Sequence, residues 1–271
     1  MLLGTVFSLA LALSAFKGGA LSISGTIAAI LMGATVYWFG GWAWFILLAV
    51  FFLSSSGLTK YKEAEKEAVS REFAKPGPRD VFQVLANGAL ASLVAVGQYF
   101  YPMDGWFVIF AGIIASVNAD TWATELGILS KSKPRLLVGW KQVEVGTSGA
   151  VSPAGTFYAF GGSFFIALCA AALLAFGNGS VEIGIRGAAA LLAAVAFGGL
   201  AGALADSLLG ALVQSMYWCP KCRKETERTV HKCGCVTQHR RGLKWFDNDV
   251  VNLVSSLVGG VVSVALFTAI A

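Results

Sequence analysis

Eight long apolar stretches leave this chain few ways to fold. They run at about 1–16, 20–39, 42–56, 81–101, 105–127, 153–176, 186–215 and 249–270. A hydrocarbon core of roughly 30 Å takes about 20 helical residues to cross, so most of these stretches are long enough to span it. Backbone inside lipid must satisfy its own hydrogen bonds, which favours helices over open sheet. Only 13% of the residues are charged and the mean hydropathy is +0.71, too little charge to clothe a water-facing surface. The expectation is an all-α, polytopic membrane bundle of about eight transmembrane helices, forming a single domain over 1–271. No basic residue precedes the first stretch and Lys17 follows it, so it reads as a retained span rather than a signal peptide.

The basic residues orient the bundle. With eight alternating spans, one set of connections comprises the turn at Lys17 and the segments 57–80, 128–152 and 216–248. These hold 19 of the 20 Lys and Arg residues; Arg186 alone falls on the other side. Cytoplasmic loops are the ones enriched in Lys and Arg, so this set is expected at the cytoplasmic face of a cell (inner) membrane, with both termini outside. The same bias accounts for a pI near 9.0 without a nucleic-acid partner. Residues 60–75 read as a short charged helix lying at anionic lipid heads, stopped by Pro76-Gly77-Pro78, and Gly177 to Ile185 as an outer connection.

Acids occur where hydrocarbon should exclude them. Asp120, Glu125 and Asp206 lie within spans, and Asp247 and Asp249 open the last one. Each buried charge costs a few kcal/mol at least, so such residues mark function or packing. Asn118, Thr121 and Glu125 share a helical stripe with Asp120 beside it, Ser207 follows Asp206, and Asn248 and Asn252 share a face next to Asp249. With its span running to Tyr217, Asp206 is expected roughly 16 Å from the helix end. No Lys or Arg within the spans neutralises these acids, which leaves protons, a metal, or loop cations folding in. Carboxylate and amide oxygens are hard ligands suited to Mg²⁺, with Asp120 and Asp206 the expected pair. Helix-packing polar residues and a proton- or sodium-coupled pathway are the other readings. A weak echo between NADTWATELG (118–127) and LADSLLGALV (204–213) points to related hairpins over 105–176 and 186–271.

Two connections look built for anions. The 128–152 segment supplies Lys131, Lys133, Arg135 and Lys141, then Gly146-Thr147-Ser148-Gly149 ahead of Ser152-Pro153, a helix start. Hydroxyls, flexible backbone and a helix N-terminus suit phosphate, although a turn that merely caps a helix would look the same. In 57–80, Arg79 precedes Gln83 and Asn87, which share a face and would join the same pocket.

Five cysteines occur. Cys169 reads as packing. Cys219, Cys222, Cys233 and Cys235, with His231 and His239 nearby, form a CxxC…CxC pattern expected to hold a structural Zn²⁺ that pins the 216–248 loop.

Taken in order, SSSGLTK (54–60), NADTWATELG, PRL (134–136), GTSGAVSPAGT (146–156), ADSLLGA (205–211), CPKC (219–222) and NDVVN (248–252) resemble the integral membrane family that includes the phytyl-phosphate kinase of tocopherol synthesis. That family is broadly similar to CTP-dependent polyprenol kinases. The resemblance implies a kinase that converts a prenyl or phytyl monophosphate to the diphosphate with CTP as phosphoryl donor. It implies site roles for Asp120, Glu125, Asp206, Asn248 and Asp249, and phosphate contacts from Arg79, Lys141, Thr147 and Ser148. Phosphoryl transfer asks mainly for alignment and charge neutralisation, which these residues could supply with Mg²⁺. The alternatives are a secondary transporter of an anionic or lipid-phosphate solute, and a membrane adaptor organised by the cysteine loop.

Overall fold

Hydrocarbon-length helices make up the computed structural model, which describes residues 2–70, 77–130, 132–176 and 184–271. The end of the expected charged helix with Pro76 (71–76), Lys131 and most of the expected outer connection (177–183) lie outside the described residues. The helices are α1 (Leu2–Lys17), α2 (Ile23–Gly40), α3 (Trp42–Lys60), α4 (Glu63–Ser70), α5 (Val81–Phe100), α6 (Trp106–Gly127), α7 (Pro153–Phe176), α8 (Ile185–Leu212) and α9 (Asn248–Ile270). Seven of them are long and apolar enough to cross a membrane, and α1 is a shorter apolar helix. The eight expected spans are therefore all helices, and of the helix expected over 60–75 the stretch Glu63–Ser70 is α4, split from α3 by Lys62 at a φ of 51°.

Helix α6 is apolar around its whole circumference along 106–117, which suits a helix with neighbours on every side. It is buried nearly continuously from Val108 to Ala119. It packs on α7, α8 and α9, with α3 and α5 flanking; α2 bridges to α5, and α1 sits outermost against α2. The hairpins α6–α7 and α8–α9 thus form the core, and each carries one aspartate near the C-terminal end of its first helix, as the internal echo leads one to expect. Small residues let these helices approach closely. A Cβ added at Gly202 of α8 or Gly259 of α9 would overlap Ser116 of α6, and Ser116 Oγ donates to Ser255 O at 3.3 Å.

Leu31, Leu93, Phe157, Phe197 and Val261 are exposed on the outer helix faces, a surface suited to acyl chains rather than water. Where α2, α3, α5 and α6 turn, Trp38, Trp42, Tyr99 and Tyr101 form an aromatic rim, and Trp106 Nε1 donates to Tyr101 O at 2.8 Å.

The longer connections gather at the opposite end. Arg79 N donates to Ala20 O and Ser22 N to Arg79 O, tying the α1–α2 turn to the start of α5. Strands β1 (Arg135–Leu136) and β2 (Ala150–Val151) pair across the 128–152 segment. Strands β3 (Met216–Cys219), β4 (Lys224–Thr226) and β5 (Gln238–Arg241) form an antiparallel sheet in the order β4-β3-β5. Helix α8 stops at Leu212, where Arg241 Nη1 donates to Gly210 O and Ala211 O. Asp206 is therefore only about 9 Å of helix from that end, at about 1.5 Å per residue, and shallower than a span reaching Tyr217 would place it.

Candidate functional site

A cavity of about 350 Å³ opens among the C-terminal ends of α6 and α8 and the N-terminal ends of α5, α7 and α9. Each wall has a local cause. Helix α5 starts with a reciprocal cap in which Asp80 Oδ1 accepts from Gln83 N at 2.9 Å and Gln83 Oε1 accepts from Asp80 N at 3.1 Å. That fixes Arg79 and Gln83 at one rim. Ser152 Oγ accepts from Gly155 N at 3.0 Å, so α7 begins where Ser152-Pro153 predicts, behind the turn Gly146–Gly149. Gly149 sits at a φ of 78° against Ala211 of α8, where no side chain would fit. Asp247 Oδ1 accepts from Val250 N at 3.1 Å and caps α9, holding Asn248 and Asp249 on the wall.

Six carboxylates (Asp120, Glu125, Asp206, Glu227, Asp247 and Asp249) line the cavity, with Arg79 as its one lining cation among the described residues. That excess of acid is the dominant electrostatic fact of the site. Glu125 is compensated: Lys66 Nζ and Thr59 Oγ1 donate to its two oxygens, the latter at 2.7 Å. Asp206 Oδ2 accepts from Ser255 Oγ at 3.0 Å. Among the described residues neither Asp120 nor Asp206 makes an ion pair, and the two are close enough to feel each other's charge. Burial works against the Arg79 guanidinium charge, whereas the nearby Glu125 carboxylate favours it.

Of the residues singled out from sequence, Asp120, Glu125, Asp206, Asp249, Thr121, Arg79, Asn87, Thr147, Ser148, Ser207 and Asn248 all line this one cavity. Four do not. Asn118 is fully buried behind it, donating from Nδ2 to Gly162 O at 2.8 Å and accepting from Ser54 Oγ at 2.9 Å, so it is a packing bridge between α3, α6 and α7. Asn252 lies a turn further along α9, outside the lining. Arg135 and Lys141 are exposed on the β1 hairpin, where Arg135 Nη1 donates to Trp140 O. Their cations do not enter the cavity. Sequence reasoning also missed Glu227, which accepts from Gln214 Nε2 at 2.9 Å while Gln214 Oε1 accepts from Ser148 Oγ. Glu227 follows β4 in a segment with no helical period to expose it; its one sequence signal was an acid within a basic loop.

Among the described residues no Cys or His lines the cavity, and its donors are carboxylate, amide and hydroxyl oxygens, a set that fits Mg²⁺. Alongside lies a narrow apolar slot of about 70 Å³ between α1, α2, α3 and α5. Leu11, Met32, Phe45 and Phe52 are among its walls, and Arg79, Gln83 and Asn87 belong to both spaces.

The cysteine loop groups a different set from the four cysteines expected to hold zinc. The sulfurs of Cys219, Cys222 and Cys233 and a His231 ring nitrogen all lie within 4.8 Å of one another. Cys235 is outside that group, its thiol donating to Val236 O at 3.4 Å. The turn between β3 and β4 faces the hairpin beyond it, and that geometry brings in the histidine instead.

A family profile described as integral membrane protein DUF92 matches residues 6–260. Protein PGR of Arabidopsis thaliana is 34% identical, covering 95% of this chain and 93% of its own. An uncharacterized membrane protein of Methanocaldococcus jannaschii is 32% identical over 95% of this chain and 90% of its own. The chloroplastic protein VTE6 of Arabidopsis thaliana is 26% identical over 91% of this chain and 65% of its own. No solved structure matches.

Proposed function

The chain belongs to the DUF92 family of integral membrane proteins, and we propose that it is a membrane phosphotransferase acting on an isoprenoid monophosphate. The observation that carries this reading is the junction at Arg79. There a carboxylate-lined cavity, with a hydroxyl-bearing turn at the N-terminus of α7, meets an apolar slot. One substrate with an anionic head and a hydrocarbon tail satisfies both spaces at once. The phytyl-phosphate kinase resemblance points to the same chemistry, with CTP as donor, and the basic connections favour the cytoplasmic face of the cell membrane as the side on which it occurs.

In this reading the acceptor phosphate rests against Arg79, with Gln83 and Asn87 beside it. The donor phosphates lie along Thr147, Ser148 and the positive N-terminal end of the α7 dipole. Asp120 and Asp206, supported by Asp249 and Asn248, would hold Mg²⁺, which when bound supplies positive charge for the donor phosphates. An acceptor phosphate oxygen forms a bond to the terminal phosphorus of the donor. The bridging P–O bond breaks, and the nucleoside diphosphate leaves with that electron pair. The acceptor is already an anion, so no strong general base is needed; alignment and screening of charge do the work. Ser255 keeps one Asp206 oxygen oriented, and the Ser148–Gln214–Glu227 chain keeps the turn in place.

The test is direct. Purified protein is given Mg²⁺, a panel of nucleoside triphosphates, and prenyl monophosphates of different lengths including phytyl phosphate. Formation of a prenyl diphosphate, abolished in Asp206→Asn, is the expected result. No diphosphate from any pair, with nucleotide-independent uptake of a lipid phosphate in proteoliposomes, would establish the transporter instead.

A further inference from the structure

We propose that Cys219, Cys222, His231 and Cys233 bind a structural Zn²⁺, and that this metal holds the segment carrying Glu227 against the cavity. The site stands apart from the kinase reading, since none of its four residues lines the cavity.

Two tight turns present the ligands. In the first, Cys222 N donates to Cys219 Sγ at 3.4 Å and Arg223 N to Cys219 O at 2.8 Å, with Arg223 at a φ of 52°. In the second, Gly234 N donates to His231 O at 2.8 Å and His231 N to Cys235 O at 2.9 Å, with Gly234 at a φ of 77°. Both have an N–H folded back on a residue that carries a ligand atom, as two facing knuckles would.

The spacing discriminates among fates for these thiols. Sulfurs each about 2.3 Å from a tetrahedral zinc lie about 3.8 Å apart. Cys219 Sγ and Cys233 Sγ are 3.6 Å apart, and His231 Nδ1 is 3.2 Å from Cys233 Sγ. A disulfide would bring two sulfurs to about 2.05 Å. Three soft sulfurs and one imidazole, closed to four ligands, suit a structural zinc rather than a catalytic one. Cys219 is fully buried and His231 nearly so, Cys233 is half-buried, and Cys222 is exposed at the outer side of the group.

The consequence for the cavity lies in the chain between the knuckles. Strand β4 leaves Cys222, pairs with β3, and passes directly into Glu227, which bonds Gln214 at the cavity rim. Thr237 Oγ1 donates to Arg228 O at 2.7 Å and to Thr229 O at 2.8 Å, stitching the return. Cross-linking 219–222 to 231–233 therefore closes a short loop whose middle is the Glu227 strap. Without the metal the strap keeps its sheet bonds, the Gln214 bond and the Thr237 stitch, and loses the clasp that ties its two ends together.

Protein purified with reductant in zinc-containing medium is expected to carry a single Zn²⁺ per chain by elemental analysis. Cobalt-substituted wild type is expected to show thiolate-to-cobalt charge-transfer absorption, a reading that needs no variant to fold. Cys235→Ser and His231→Cys should keep the metal, whereas Cys222→Ser and His231→Ala should lose it. Chelation should speed hydrogen exchange across 224–230. Metal-free wild type would overturn the proposal. So would zinc lost in Cys235→Ser but kept in His231→Ala, or an intact mass short by two hydrogens.

Discussion

Lys66 Nζ, carried on the helix between α3 and α5, reaches Glu125 Oε2 on α6 and simultaneously donates to Leu58 O at 2.6 Å and Thr59 O at 2.9 Å at the end of α3. Lys66 is 3% exposed, and that burial changes what both partners do. The ammonium satisfies carbonyls left over at a helix C-terminus and neutralises one of the six cavity acids. Glu125 is thereby a wall of the cavity, and the charge available for a cation concentrates on Asp120, Asp206 and their neighbours. Helix α4 is also more than a solvated strip at the lipid heads.

Removing one member of this pair should therefore destabilise the protein. Glu125→Gln leaves a buried ammonium short of its counter-charge, and loss of one partner of a buried pair costs about 3–5 kcal/mol. Lys66→Met should cost a similar amount, and the double variant clearly less than the sum. Thermal unfolding in detergent, read as a double-mutant cycle, measures this; additive losses would show that the two residues are not coupled.

Asp120→Asn and Asp206→Asn should behave in the opposite way. Each relieves like-charge repulsion in a confined space, so the melting temperature should hold or rise. Transfer of phosphate should fall by at least about 100-fold, the scale on which a positioned electrostatic group contributes to catalysis. Activity and melting curves on the same preparations test both halves. Variants that melt early would make these aspartates packing residues instead.

Packing at the core makes a further prediction. Gly198 and Gly202 recur at small-xxx-small spacing on α8, and Gly202 receives Ser116 of α6 where a side chain would otherwise be. Overpacking a tight interface costs about 1–3 kcal/mol or more. Gly202→Val should lower the melting temperature and, by prising α8 from α6, reduce activity. Gly161→Val of α7, where an added Cβ meets nothing within 4 Å, is the matched control and should change neither.

The helices were legible because hydrocarbon imposes one requirement on every residue of a span, and composition alone reports it. The cavity residues were legible for the same reason: Asp120 and Asp206 stand out only against an apolar background. What escaped depends on chain that leaves the membrane. Lys141 sits in a basic loop beside the phosphate turn, yet it folds back on β1, where its carbonyl accepts from Leu136 N, and its side chain lies exposed. His231 displaces Cys235 because two turns, separated by a strand, set which atoms meet. Lys66 is one charge among many in 60–75, and no period in the sequence shows that α4 folds back onto α3. Val213 and Met216 read as apolar continuation, which puts Asp206 deeper than it lies, because Arg241 from a distant strand ends the helix at Leu212.

Arg79 offers the sharpest test of how head and tail are divided. Its backbone, not its side chain, ties the α1–α2 turn to α5 through Ala20 O and Ser22 N. Replacing the side chain should therefore leave the fold intact. The guanidinium is the one cation among the described residues that lines the cavity, at the boundary with the apolar slot, so it should grip the acceptor phosphate and not the nucleotide. Hydrogen bonds to a charged group are worth about 1.5–3 kcal/mol, which corresponds to roughly a 10- to 100-fold weaker interaction when lost. Arg79→Gln should raise KM for the prenyl monophosphate by that factor and leave KM for the nucleotide nearly unchanged. Arg79→Lys, with charge but no planar fork, should fall between the two. Initial rates measured with each substrate varied in turn check this; a matched rise in both KM values would place Arg79 on the donor phosphates instead.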